Sequence, residues 1–327
     1  MVPHVSRHAL RNLSRSQSLV DELVGCGDVP ALNELADALT DDSTPATVAR
    51  GPLKRLGDAL ARVSDNSDVI TIATRTLERL ALRNGGAIGA AGFDEADYAL
   101  RLPLYAVYMG EDDPLRAATV LSAARLEGAA FTDAQRAAGY IKVAQAYLRA
   151  DDDVNADRFV KRATDPVYRT GDAVMALTLK ALTAVVLDAK RRFLEAAVRY
   201  LEVVAAGSAL VEEVELLKFL QDAATAAILA PAGPQRLRVL GAVLRDSRVT
   251  SLDAAVAGML KHVATGRLIA PDDAGETGRS SIDRVLARKC CRPAAVGVHF
   301  RPTCNSHPPY HCVPQSSSPP DSSRTNV

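Results

Sequence analysis

The feature that most constrains this chain is its hydrophobic periodicity. From about residue 10 to 265, apolar residues recur three and four positions apart, which is the period of one face of an α-helix. No stretch of this region alternates polar and apolar residues as a half-buried strand does. Clusters of Gly, Pro or Asp interrupt the pattern and predict helices of about 10 to 20 residues. These breaks lie near 41–45, 84–92, 112–114, 151–153, 205–208 and 231–234.

An internal repeat of about 40 residues adds a second level of order. The charged turns 110–114, 151–153 and 189–192 each end one predicted helix and open the next. Small residues occupy the fourth or fifth position of the helix that follows each turn, where they let paired helices approach closely. A period of this length is typical of solenoids built from helix pairs. We therefore predict an all-α fold, a TPR/HEAT-like α-solenoid over roughly residues 10 to 270, with a generic α-bundle as the alternative.

Composition limits the classes of partner. The 327 residues carry 39 basic and 39 acidic side chains, so the chain lacks the strong positive field of a general nucleic-acid binder. No apolar run approaches the ~20 residues that a membrane span needs. Aromatic residues are only 4% and Trp is absent, which implies a core built of Ala and Leu. We expect no direct nucleic-acid partner and no membrane partner.

The N-terminal segment has two interpretations. Arg7, Arg11 and Arg15, with no acidic residue before Asp21, give it the composition of an organellar transit peptide. A basic first helix is favoured, because the apolar residues within 10–23 form one helical face.

The last forty residues differ from the rest of the chain. Seven of the 17 Pro, four of the five Cys and half of the His lie between Cys290 and Val327. This composition predicts a disordered tail. The array itself has no disulfide framework, which is typical of an intracellular protein.

No residue pattern in the chain indicates catalysis. A zinc isopeptidase needs two His one residue apart and a later Asp, and the six His offer no such pair. There is no Gly-rich phosphate loop and no Ser or Cys beside a suitable base, and Cys26 precedes a turn glycine in a structural setting. We expect no enzyme activity, no catalytic residues and no cofactor.

One cluster in the tail has spacings loosely like those of a zinc finger. It consists of Cys291, Cys304, His307 and His311. The adjacent Cys290 and Cys291 cannot form the usual two-residue knuckle, and no ββα pattern surrounds them, so no metal site is predicted.

Two basic clusters provide the candidate interface residues: Arg191, Arg192, Gln235, Arg236 and Arg238. A solvated helix face is the simpler interpretation. The functional interpretation is a polar rim that contacts an acidic neighbour, for which the planar guanidinium with its several donors is well suited. The acidic turns are expected to cap helix N-termini, because carboxylates accept backbone N–H bonds there.

The order of motifs from Tyr140 onward resembles a known family. The segments are IKVAQAYL (141–148), DDD (151–153), RRFLEAAVRY (191–200) and AAILAPAGPQRLR (226–238). They are similar to the subunit-four family of the COP nine signalosome, within the PCI-domain family of helical-repeat plus winged-helix proteins that the proteasome lid and a translation initiation factor share.

The resemblance implies a function without catalysis by this chain. Its members are scaffold subunits of the assembly that removes a ubiquitin-like modifier from cullin-RING ubiquitin ligases, and another subunit supplies the zinc protease. The implied partners are other signalosome subunits and cullin-RING ligases, in cytoplasm and nucleus. A proteasome-lid PCI scaffold and a free-standing helical-repeat binding module stay open as alternatives.

The resemblance also implies a division of the chain. Residues 278–287 still resemble the start of a winged helix, and the match is lost from about Arg288. A shifted reading frame or a retained intron would explain that loss. Without most of the winged helix, the ability of the chain to assemble with other subunits is in doubt. The expected parts are an N-terminal helical-repeat arm (1–107), the helical-repeat part of a PCI domain (108–270), a winged-helix remnant (271–289) and a disordered tail (290–327).

Overall fold

The computed structural model describes residues 19–24, 28–63, 65–83 and 92–266. Within these residues every regular element is helical, and no strand occurs, which confirms the predicted all-α fold. Residues 19–24 are helical and precede α1. The first six helices are α1 (Val29–Thr40), α2 (Ala46–Leu60), α3 (Asn66–Arg83), α4 (Asp94–Gly110), α5 (Pro114–Ser122) and α6 (Asp133–Arg149).

The remaining helices continue the array. They are α7 (Asp153–Thr170), α8 (Ala173–Ala189), α9 (Phe193–Ala206), α10 (Glu213–Leu229), α11 (Pro234–Arg245) and α12 (Ala254–Ala264), with 3-10 turns at Gly207–Ala209 and Ser247–Ser251. From α3 to α12 each helix packs against the next, whereas in the N-terminal part α1 packs mainly against α3 and α2 mainly against α4. Short connections make the packed sequence neighbours antiparallel. The predicted breaks that fall within the described residues are confirmed, although α5, with 9 residues, falls just below the predicted length range.

Three of the helix connections share one backbone conformation. Asp112, Asp151 and Arg191 have φ of 59°, 60° and 59°, in the left-handed region that L-residues rarely adopt. In each turn, the N–H of the residue after the left-handed one donates to the carbonyl oxygen five residues before it, at an N–O distance of 2.9 Å. These bonds run from Asp113 to Tyr108, from Asp152 to Tyr147 and from Arg192 to Leu187. These are Schellman-type helix ends. They recur at intervals of about 40 residues, the period that the sequence predicts.

Two of these turns also cap the helix that follows. The Asp113 carboxylate accepts from the Arg116 N–H (3.1 Å), and that of Asp152 accepts from the Asn155 N–H (3.0 Å). Hydrogen bonds from the Asn155 backbone and side chain lower the pKa of Asp152. The predicted capping role of the acidic turns is therefore confirmed for these two residues.

The small residues after each turn are at the helix contacts. Ala117, Ala156 and Ala196 each lie five positions beyond the left-handed residue, and each is 0% exposed. Because protein interiors are close-packed, a fully buried methyl group lets the neighbouring helix come close and leaves no room for a larger side chain. Each repeat therefore combines the same backbone turn with the same close contact between two helices.

The apolar core has two clusters that meet near α4. The N-terminal cluster runs from Val20 to Leu104 and the C-terminal cluster from Ala117 to Leu260, and Tyr108 packs against both. A nearly buried ion pair supports this junction. Arg101 of α4 bonds Asp97 (Nε to Oδ2, 2.7 Å) and donates from Nη1 to the carbonyl of Val120 in α5 (2.9 Å). α4 is thus fixed to both halves of the array.

Glycine permits the closest contact in the N-terminal cluster. A Cβ atom on Gly57 of α2 would lie 2.4 Å from the carbonyl carbon of Ala99 in α4. Because that atom belongs to the backbone, it could not move aside for a side chain. The approach of α2 to α4 therefore requires glycine at this position.

We expect Arg191→Gly to raise the free energy of unfolding by about 1 kcal/mol, because glycine removes the steric cost of the left-handed conformation. The reverse substitution at the end of α7, Gly171→Ala, should lower it by a similar amount. Gly171 has φ 66° and no atom within 4 Å of a Cβ built there, so only the backbone term changes. Urea unfolding followed by circular dichroism measures both, and a destabilised Arg191→Gly would contradict the assignment of strain.

Candidate protein-interaction surface

The antiparallel helices bring four connections to one edge of the array. This edge, called the turn edge below, comprises the α4–α5, α6–α7, α8–α9 and α10–α11 connections with the first five residues of α5, α7, α9 and α11. Ion pairs join parts of the edge: Arg149 Nη2 lies 3.7 Å from Asp112 Oδ1, and Lys190 Nζ lies 2.7 Å from Asp157 Oδ2. At the other end of α9 and α10, a Cβ on Gly207 would lie 2.8 Å from the Leu216 side chain. The α9–α10 turn therefore packs closely against the first turn of α10.

Arg191 and Arg192 occupy the third connection. Arg191 is exposed, and its guanidinium makes no hydrogen bond or ion pair within the described part of the chain. Arg192 is also exposed, but its guanidinium binds the Glu195 carboxylate through two bonds, Nε to Oε1 (2.8 Å) and Nη2 to Oε2 (2.6 Å). Of the two, Arg191 has the more available charge.

The second group of candidates opens α11, and its members have different surroundings. Gln235 and Arg238 are exposed. Arg236 is half-buried and donates from Nε to the carbonyl of Ala227 (3.1 Å) and from Nη2 to that of Ile228 (2.6 Å). These carbonyls lie in the last turn of α10, where a cation satisfies otherwise unpaired acceptors and the negative end of the helix dipole. Arg236 therefore joins α10 to α11 within the chain.

Acidic residues line the other half of the same edge. Glu111, Asp112 and Asp151 are exposed at the first two connections. Glu111 and Asp151 have no ion-pair partner among the residues that the structure describes, and Asp112 has only the 3.7 Å contact with Arg149. Sequence reasoning assigned these turns to capping alone and missed their position beside the basic clusters.

A cleft of about 500 Å³ lies beside the α5–α6 connection. Arg162 of α7 forms one wall: its Nη2 bonds Glu127 Oε1 (3.0 Å), and its guanidinium lies 5.8 Å from the ring centre of Tyr140 and 5.6 Å from that of Phe159. Asp94 and residues 122–128 complete the lining. No sequence pattern indicated this cleft, because its walls come from four separate segments.

The electrostatics of the cleft do not indicate a reaction. Burial raises the pKa of Asp94 against the opposing effect of Arg125, and burial also raises the pKa of Tyr140. Ser122 donates to the carbonyl of Thr119 (3.0 Å) instead of to a base. Among the described residues, therefore, the cleft holds the Arg162–Glu127 ion pair and no nucleophile–base pair.

Across 19–24, 28–63, 65–83 and 92–266, no three His, Cys, Asp or Glu side chains are grouped so that they could hold a metal ion. None of the helices described is both long and apolar enough to cross a bilayer.

Comparison with curated proteins finds similarity to signalosome subunits of several organisms. The chain is 30% identical over 249 residues to COP9 signalosome complex subunit 4 of Arabidopsis thaliana, an alignment that covers 74% of this chain and 61% of the relative. The same subunit of Emericella nidulans is 28% identical over 262 residues (78% and 61%), and that of Drosophila melanogaster 28% over 243 residues (74% and 57%).

The chain is a homologue of COP9 signalosome subunit 4. This relationship agrees with the resemblance seen in the motif order from Tyr140 onward. No protein-family model matches the chain. The chain spans about three fifths of the length of the signalosome subunits named above.

Several sequence-based expectations concern residues outside the described ranges. They are the basic segment before residue 19, Cys26, the winged-helix remnant at 271–289, the tail at 290–327 and the zinc-finger-like spacing within it.

Replacing Arg236 with Met should lower the free energy of unfolding by about 1–2 kcal/mol, because two carbonyls of α10 lose a charged donor while the aliphatic stem is kept. Arg238→Met is the matched control, since Arg238 lies on the same helix, is exposed and makes no contact of this kind. Chemical denaturation measures both. Equal stabilities of the two variants would show that Arg236 has no capping role.

Proposed function

We propose that the chain is a non-catalytic scaffold subunit of the COP9 signalosome. In this role it supports removal of the ubiquitin-like modifier from cullin-RING ubiquitin ligases through protein–protein contacts, while another subunit carries out the chemistry. The observation that supports the proposal most strongly is the 30% identity to a signalosome subunit over 74% of the chain. An array of helix pairs suits such a role, because it presents long surfaces to neighbours.

The two apolar clusters support a division of the chain into two parts with different roles. The break between Leu104 and Ala117 falls at the proposed boundary between an N-terminal arm (1–107) and the helical-repeat part of a PCI domain (108–270). The proposed partners are other signalosome subunits for the PCI part and cullin-RING ligases for the arm, in cytoplasm and nucleus.

The exposed candidates define where contact would occur. Arg191, Gln235 and Arg238 are available to an acidic neighbour, and Arg192 could exchange Glu195 for a carboxylate of the partner. Arg236 contributes by holding α11 in place. Truncating a rim charge changes the association rate and its salt dependence more than the dissociation rate.

Affinity purification of the tagged full chain from its own cells, with quantitative mass spectrometry, tests the assignment. We expect signalosome subunits in amounts close to that of the bait, compared with a tag-only control. Recovery of proteasome-lid subunits instead would favour that complex. A folded bait with no sibling subunits would contradict the assignment and favour a free-standing binding module.

The double variant Arg191→Glu/Arg238→Glu, run in parallel, should recover siblings at least tenfold less well. Glu78→Lys, an exposed charge change on α3, is the matched control. Undiminished recovery by the double variant would remove these arginines from the interface and leave the subunit assignment intact.

A further inference from the structure

A row of lysines crosses the array between the turn edge and the opposite ends of the helices. Lys142, Lys180 and Lys218 belong to α6, α8 and α10 and lie 38 residues apart in the sequence. This interval is close to that of the repeated turns, so the three lysines occupy equivalent places in successive repeats. The row, called the lysine row below, runs across the helices and not along one of them.

Lys142 and Lys180 lie on the one uncovered side of their helices. Of residues 139–148 in α6, only Lys142 and the residue three positions after it are not buried, and 177–186 of α8 show the same pattern around Lys180. Residues three apart on a helix share a face. Because α7 packs against both helices, and α6 and α8 also contact each other, the two uncovered stripes lie side by side, facing away from α7.

The ammonium groups of the row have no partner within the part of the chain that the structure describes, in either hydrogen bonds or ion pairs. Burial lowers the pKa of Lys142, and no nearby carboxylate opposes that effect. Lys218 is exposed and lies within about one helical turn of Glu215 and Asp222, whereas the uncovered stripes of α6 and α8 carry no acid. An external carboxylate would therefore gain most at Lys142 and Lys180.

Two tyrosines of α4 border the row beside Lys142. The Tyr105 hydroxyl donates to the carbonyl of Lys142 (3.3 Å), and a Cβ on Gly139 would lie 3.3 Å from the Tyr98 hydroxyl oxygen. Both tyrosines are half-buried. Aromatic side chains at a groove are the surface on which the rings of proline-rich segments dock.

The spacing of the row selects the conformation of a ligand. Two packed helices lie about 8–10 Å apart. A polyproline II segment has three residues per turn and rises about 3.1 Å per residue, so its side chains at every third position point the same way, about 9 Å apart. In a β-strand, side chains three positions apart point to opposite faces. Acidic residues at every third position of a polyproline II segment thus match one lysine per helix.

We propose that the lysine row binds an extended, proline-rich segment of a partner protein that carries an acidic residue at every third position. Two of its carboxylates pair with Lys142 and Lys180, a third reaches Lys218, and prolines beside the first acid contact Tyr98 and Tyr105. The isolated chain contains the whole site, so the proposal does not depend on the signalosome assignment.

A fluorescein-labelled peptide of three Glu-Pro-Pro units, titrated with the purified full chain, tests the site by fluorescence anisotropy. We expect saturable binding with a dissociation constant below about 500 µM at low salt, weakened severalfold at high salt because salt screens the charges. A peptide of the same composition with its three Glu contiguous should bind at least fivefold more weakly. No saturable binding overturns the site, and equal binding of the two peptides overturns the spacing.

Lys142→Met and Lys180→Met test the two central contacts. Each should weaken binding of the evenly spaced peptide at least threefold, because one ion pair is lost while an unbranched apolar side chain is kept. Lys261→Met, at an exposed lysine of α12, is the matched control and should bind like the unmodified chain. Lys142→Met should not lower the free energy of unfolding, because it removes a half-buried charge. Unchanged binding by Lys142→Met and Lys180→Met would overturn the proposal.

A ten-nucleotide oligouridylate separates an acidic peptide from a nucleic acid as the ligand. We expect the oligonucleotide to bind at least tenfold more weakly than the peptide, because single strands need a continuous positive groove and the row holds only three lysines. Tighter binding of the oligonucleotide would overturn the assignment of a peptide partner.

Discussion

The close approach of helices at fully buried alanines is the interaction on which the array depends. Ala117, Ala156 and Ala196 each stand five residues after a left-handed turn residue, at the start of a helix that packs on its predecessor. A side chain of one carbon keeps the contact short, so dispersion contacts and apolar burial extend along both helices. The turn fixes the helix direction, and the alanine fixes its distance. Repetition of both produces the solenoid.

The same backbone carries different charges in successive repeats. The turn at Asp112 and the turn at Arg191 have the same φ and the same closing hydrogen bond, but one is flanked by acids and the other by bases. Exposed charges at such turns contribute little to folding stability. They can therefore differ from one repeat to the next at little cost in folding stability.

The sequence predicted the helices well because local chemistry marks their ends. The breaks at 41–45 and 231–234 combine turn residues with proline, which disfavours a continuing helix. The repeat was visible because the charged turns and the alanines recur together. The cleft beside Arg162 was not predictable, since Asp94, Tyr140 and Glu127 come together only through tertiary packing. The structural role of Arg236 was missed for the same reason, because its acceptors belong to the preceding helix.

The dependence of the array on small residues is tested by the unfolding free energies of Ala117→Leu, Ala156→Leu and Ala196→Leu. We expect each variant to lose about 1–3 kcal/mol of unfolding free energy relative to the unmodified chain, because overpacking forces the paired helices apart at equivalent positions. Ala205→Leu, at an exposed position of α9, should lie within about 0.5 kcal/mol of the unmodified chain. If any of the three buried substitutions were as mild as Ala205→Leu, the helix spacing would not depend on a small residue there, and the repeat unit described here would be contradicted.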